Sequence, residues 1–306
     1  MIEGNFTEDK RNNSILPPWN DLLGKDDFIS YMPSYKGNQY LDKFDECVLP
    51  CSETGDITYY VYNPFKHNTA VNEKCPVLVW IHGYTNALDG KVCVSHSGGE
   101  MFASPEYQKK MGGAFVVVPL ANEKRSETGE IVDSWSEVYV KPVKQILDIV
   151  CDENKEHIGC KFIMGGSSGG YFSWWFAQGY CNEIDGCIPI SSGYIPEKED
   201  LKHIEEAGVY VLAAHGRHDE LCSFDEFVKP KLEYLENMKN CICYFPEWVR
   251  NGDGGVASLY YGFEMGQHCM ITQVQSNLIF EDGRCYDNRL PNGVTGWIAD
   301  VCKAKQ

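Results

Sequence analysis

Short apolar runs, almost unbroken by polar residues, punctuate this chain at 76–81, 114–119, 160–164, 187–190, 209–214 and 241–245. A strand wetted on one side alternates polar and apolar positions. A strand that is apolar throughout is buried on both faces, as in a parallel sheet covered by helices. Between the runs lie segments of helical character: 136–150, where Val138, Val143, Ile146, Leu147 and Val150 are apolar, then 171–177, 224–238 and 293–303. Pro142 marks either the start of the first of these or a kink in it. Strands alternating with helices predict right-handed crossovers and an α/β architecture, with a mostly parallel central sheet of about eight strands. Segments 47–50 and 57–62, joined by a turn at 53–56, predict an antiparallel hairpin at the sheet edge. Residues 1–44 are polar and broken by Pro17, Pro18, Gly24, Pro33 and Gly37. They read as an irregular N-terminal arm lying over a single domain at 45–306. Trp19, Phe28 and Tyr31 would anchor that arm or border a cleft.

Composition narrows the partners. A formal net charge of -17 over 306 residues repels phosphate backbones and anionic membranes, so neither nucleic acid nor membrane is an expected partner. The 14 cysteines are spread through the chain rather than crowded into a disulfide framework. Cys160, Cys187 and Cys241 sit in apolar runs, as small core residues do. Cys47 with Cys51, and Cys241 with Cys243, lack a second pair at metal-binding spacing, so no metal and no cofactor is expected. Residues 1–20 lack the basic-then-apolar pattern of a signal peptide, and no apolar run reaches the ~20 residues of a membrane helix. The expectation is a cytoplasmic protein with free thiols.

The chemistry centres on GGSSGG at 165–170, set between the strand 160–164 and the helix 171–177. A strand turning straight into a helix forces strained dihedrals, and neighbours without Cβ relieve the clash. In the frame 165–169, Ser167 stands at the apex of a G-x-S-x-G nucleophile elbow. A second frame, 166–170, puts Ser168 there. The first is favoured: it begins where the apolar strand ends and leaves Gly169 and Gly170 to press against that strand. A glycine-rich turn that binds a phosphate, or nothing, is the plainer alternative. A serine hydroxyl needs a base, a carboxylate to orient that base, and donors for the oxyanion. Asp219 follows the strand 209–214 and is the acid candidate; Glu220 and Asp225 are rivals, and capping the next helix is the structural alternative. His268 is the only histidine after residue 218 and fits the chain order serine, acid, histidine. His215 and His218 lie too close to Asp219 in sequence for that role. Backbone N–H groups of Ser168 and of Tyr84 or Thr85 are the candidate oxyanion donors.

These pieces carry a resemblance. WIHGY at 80–84, GGSSGG at 165–170, HGRHD at 215–219 and GQH at 266–268 make the chain similar to α/β-hydrolases, in the single-domain esterase branch that includes feruloyl esterases and polyhydroxybutyrate depolymerase-like proteins. The tail at 281–287 and 293–298 resembles the ends of bacterial carboxylesterases. The resemblance spans residues 77 to 306 and implies Ser167 as nucleophile, His268 as base and Asp219 as orienting acid. Two departures stand out: Ser168 directly follows the apex, and the arm before residue 45 matches nothing in the family. The expected substrate is a small-molecule ester with a short acyl or hydroxycinnamoyl group, with or without a sugar as its alcohol, hydrolysed through an acyl-enzyme. A prolyl-oligopeptidase-like peptidase and a non-catalytic binding protein of the same fold are the alternatives. Loops at 86–100, 122–135 and 248–265 would build the pocket. There Trp135, Trp248, Tyr260 and Tyr261 would stack on an aromatic acyl group or sugar, or simply pack their own loops.

Overall fold

The computed structural model describes residues 22–23, 29–30, 37–67, 70–260, 263–264 and 266–306. Its centre is an eight-stranded sheet: β1 (Asp45–Leu49), β2 (Ile57–Tyr62), β3 (Cys75–Ile81), β4 (Phe115–Pro119), β5 (Ile158–Gly166), β6 (Gly186–Ile190), β7 (Tyr210–Ala214) and β8 (Cys241–Tyr244). Their spatial order is β8-β7-β6-β5-β3-β4-β2-β1. From β4 to β8 every pairing is parallel, while β1 and β2 form the antiparallel hairpin at one edge. The apolar runs are strands because both faces are covered. Along β3, Val77, Val79 and Ile81 enter one core, and Leu78 and Trp80 enter the other.

The first core contains Val143, Ile146 and Leu147 of α2 (Val140–Glu153), Phe172 and Phe176 of α3 (Ser168–Tyr180), and Leu201 and Ile204 of α4 (Lys198–Glu206). The second contains Tyr107 and Met111 of α1 (Pro105–Met111), Met270 and Val274 of α6 (Met270–Gln275), and Val294, Ile298 and Val301 of α7 (Gly293–Ala304). Pro142 falls in the first turn of α2, where its missing N–H costs nothing. The single helix expected at 224–238 is instead three pieces: a π-type turn at Phe224–Val228, a 3₁₀ turn at Lys229–Lys231, and α5 (Leu232–Asn237). Pro230 sits in the middle piece and cannot donate to a continuous helix.

Part of the N-terminal arm is tied down. Ile29 and Ser30 pair in parallel with Val256 and Ala257, and the Ser30 hydroxyl accepts from Asn251 Nδ2 at 2.9 Å. Trp19, Phe28 and Tyr31 lie outside the described residues. All fourteen cysteines are free thiols; Cys160 and Cys187 are buried, whereas Cys241 is half-exposed. No helix among the described residues is long and apolar enough to cross a membrane.

Candidate active site

β5 runs into α3 through Ser167, whose backbone sits at φ 56°, ψ −120°. Such a conformation costs on the order of 1–3 kcal/mol and persists only where its surroundings enforce it. They do so here through close packing. A Cβ on Gly165 would lie 2.4 Å from the Ile81 carbonyl oxygen, and one on Gly169 would lie 2.2 Å from the same atom. Only glycine lets α3 start this near the end of β3. The Ser167 N–H donates to the Ile190 carbonyl at 2.9 Å, tying the apex to β6 as well. Ser168 is the first residue of α3, not the apex; its buried hydroxyl has no hydrogen-bond partner among the described residues.

The structure brings Ser167, His268 and Asp219 together from three separate segments. Ser167 Oγ lies 3.0 Å from His268 Nε2, and His268 Nδ1 lies 2.8 and 2.9 Å from the two Asp219 oxygens. The Asp219 carboxylate also accepts from the N–H groups of Leu221 and Cys222 at 2.9 and 2.7 Å. It therefore holds its own turn while it orients the ring. It does not cap the following helical turn, which Ser223 caps. Burial raises a carboxyl pKa, yet the bond and charge of His268 and the nearby His215 hold Asp219 below its usual range. On His268 burial favours the neutral ring. The Asp219 bond, a hydrogen bond with Cys222 and the Asp219 charge outweigh it, so the pKa rises. The pair behaves as an imidazole whose protonated form is stabilised by a fixed carboxylate.

Glu220, the sequence rival of Asp219, has a different task. Its two oxygens accept from the backbone N–H groups of Gln267 and His268 at 3.1 and 2.7 Å. Adjacent carboxylates thus hold the same histidine, one by its ring and the other by its main chain. The His268 carbonyl accepts from Ser191 Oγ at 2.8 Å. Gln267 is fully buried and bonds Val249 and Ala257. Asp225, the other rival, is exposed and pairs with Lys229.

On the other side of Ser167, the turn after β3 packs against the apex: a Cβ on Gly83 would sit 3.8 Å from the Ser167 Cβ. The expectation for Thr85 is corrected. Its N–H donates to Glu123 Oε1 at 3.1 Å and so is already spent. Glu123 also accepts from the Ala87 N–H and from Ser134 Oγ, at 3.1 and 2.6 Å. The Tyr84 N–H has no partner among the described residues. His82, beneath this turn, accepts the Ala121 N–H at Nε2, which leaves its proton on Nδ1 for the Gly83 carbonyl 2.7 Å away. Burial, partly opposed by the charge of Glu123, lowers its pKa and keeps the ring neutral.

The aromatic candidates are redistributed. Trp135 is a core residue and is corrected from a substrate-stacking role. It is buried against His82, Tyr139 and Phe172, and its indole N–H donates to the His82 carbonyl at 3.0 Å. An aromatic in a loop reads the same from sequence whether it points in or out. Trp248 is half-buried with one face covered by the His218 ring at 4.1 Å. The Tyr260 side chain and Tyr261 lie outside the described residues. A separate half-buried aromatic trio begins one turn past Ser167: Tyr171 contacts Trp175 at 6.0 Å and Tyr194 at 6.4 Å between ring centroids.

The strand order and the strained apex decide the architecture. This is the α/β-hydrolase fold. No protein-family model and no curated protein matches the chain. Among solved structures, a ferulic acid esterase superposes with a TM-score of 0.53 at 16% identity, covering 85% of this chain and 98% of its own. A thermostable esterase superposes with a TM-score of 0.52 at 21% identity, covering 68% of this chain. This chain spans only 56% of that esterase's length. At these identities the likeness establishes the α/β-hydrolase fold.

Proposed function

We propose that the protein is a serine carboxylic ester hydrolase working through an acyl-enzyme. The observation that carries this reading is the 3.0 Å approach of Ser167 Oγ to His268 Nε2, with the opposite ring nitrogen held by Asp219. Ser167 Oγ attacks the ester carbonyl carbon while His268 Nε2 takes its proton. The second ring proton stays on Nδ1 and is donated in a hydrogen bond to the Asp219 carboxylate, whose charge stabilises the imidazolium. The oxyanion accepts from the N–H groups of Tyr84 and Ser168. Losing one such donor costs about 2.7–4 kcal/mol of transition-state stabilisation. Collapse expels the alcohol, which takes the proton from His268. Water then repeats the sequence on the acyl-Ser167 ester and releases the acid.

For the acyl group we propose a short or hydroxycinnamoyl chain. The Tyr171, Trp175 and Tyr194 rings, one turn from Ser167, offer a surface for an aromatic acyl group. The ferulic acid esterase among the neighbours points the same way. The test is fluorophosphonate labelling of Ser167, with turnover of p-nitrophenyl acetate and methyl hydroxycinnamates against an aminoacyl p-nitroanilide. Labelling with ester turnover supports the reading. Preferential turnover of the anilide makes the protein a peptidase. Neither labelling nor turnover makes it a ligand-binding protein on a hydrolase fold.

A further inference from the structure

A thiol faces the site that the proposed reaction does not use. Cys222 lies three residues beyond Asp219, on the turn that carboxylate holds, and its sulfur lies within 4.8 Å of a His268 ring nitrogen. One Asp219 oxygen, the Cys222 sulfur and one ring nitrogen of His268 all lie within 4.8 Å of one another, and all three residues are buried. That is one hard, one soft and one borderline donor converging on a point. Zinc takes such mixed oxygen, sulfur and nitrogen sets, with donors about 2.0–2.3 Å from the ion, and leaves a fourth position open in its catalytic-type sites. To admit an ion the Asp219–His268 pair, 2.8 Å apart as a hydrogen bond, opens slightly, while the sulfur already lies within 4.8 Å of both donors, so the set closes on a cation with small side-chain shifts. Sequence spacing hides the site, because its third donor arrives from 46 residues beyond Cys222 and neither cysteine pair contributes.

We propose that Asp219, Cys222 and His268 form an inhibitory site for a thiophilic divalent cation of the zinc or cadmium type. The cation takes the ring away from its two present tasks. His268 can then neither donate its Nδ1–H to Asp219 nor receive a proton from Ser167. The bound thiol gives up its proton and the coordinating ring nitrogen carries none, so binding releases protons and tightens as pH rises. Magnesium, which prefers oxygen ligands and octahedral geometry, does not fit a set with a thiolate and an imidazole.

The experiment uses the full chain, with zinc and cadmium as the probes. Zinc titration is followed by the rate of fluorophosphonate labelling, each protein relative to its own metal-free rate. Cadmium binding is followed by ultraviolet thiolate-to-metal absorbance. The expected result is zinc-dependent loss of labelling in the wild type, restored by EDTA and absent with magnesium. Cys222→Ser and Cys222→Ala should need at least about 10–100-fold more zinc, the loss seen when even an outer partner of a metal ligand is removed. Both variants should also lose one cadmium equivalent. The other thiols, including Cys241 and Cys243 with sulfurs 3.7 Å apart, contribute to every protein alike, so the difference is what counts. Equal zinc sensitivity in wild type and both variants, or equal cadmium stoichiometry, overturns the proposal. If metal-free wild type fails to label, the hydrolase reading fails, and the cadmium comparison still decides the metal site.

Discussion

Two carboxylates flank Ser167 on opposite sides of β5 in the sheet, and both bind main chain. Glu123, after β4, accepts from Thr85 and Ala87 and shapes the turn after β3. Glu220, after β7, accepts from Gln267 and His268 and anchors the histidine loop. The difference lies in what each leaves free. Glu123 consumes the Thr85 N–H and leaves the Tyr84 N–H without a partner among the described residues. Glu220 fixes the backbone of the residue whose ring moves the proton in the proposed reaction. On the proposed mechanism, one carboxylate selects a donor and the other positions a base. Neither touches Ser167.

That comparison can be broken by substitution, starting from the apex both carboxylates serve. Ser167→Ala should reduce ester turnover by about 10⁶-fold, the loss typical of removing a serine nucleophile. Ser168→Ala should keep most activity, since its hydroxyl bonds nothing among the described residues. Steady-state rates on p-nitrophenyl acetate decide between them, and the opposite pattern moves the apex. Next in size is Asp219→Asn, with a drop of about 10⁴-fold from loss of ring orientation. It carries a pH signature. The wild-type base must lose its proton to act, so kcat/KM rises with pH through a ring pKa that Asp219 holds above the usual ~6.5. Removing that charge moves the limb to lower pH. A pH profile in which the limb stays put would remove Asp219 from the relay.

Glu123→Ala comes third. It frees the Thr85 and Ala87 N–H groups and loosens the donor turn, so kcat should fall by up to about 10²–10³-fold, as for a lost oxyanion donor, with KM little changed. A matched rise in KM would instead mean a binding role. Glu220→Gln should cost least, about tenfold in kcat, because the amide oxygen still accepts one of the two backbone bonds. If Glu220→Gln costs more than Glu123→Ala, base placement outranks donor placement and the comparison reverses.

Much of the fold was legible because parallel strands are buried on both faces, so β3, β4, β6 and β7 stand out as apolar runs. The glycines at 165, 169 and 170 were legible for a related reason: a helix packed on a strand end leaves no room for Cβ. α4 went unread, since Leu201 and Ile204 are its only buried side chains and two positions make no period. Pro230 broke the helix expected at 224–238, a breaker the apolar spacing around it concealed. Glu123 and Glu220 were invisible as clamps. A carboxylate that binds backbone amides in another loop has no spacing rule, and only the fold brings its partners near. Trp135 failed for the converse reason, since its indole is spent on the His82 carbonyl inside the core.

The partner of Ser167 lies 101 residues further along the chain, beyond the last strand of the sheet. A ribosome adds about 5–20 residues each second. The hydroxyl therefore emerges from the exit tunnel several seconds ahead of the imidazole proposed to activate it. On the proposed mechanism the growing chain gains reactivity toward a fluorophosphonate only after residue 268 has emerged and its loop has docked beside Ser167.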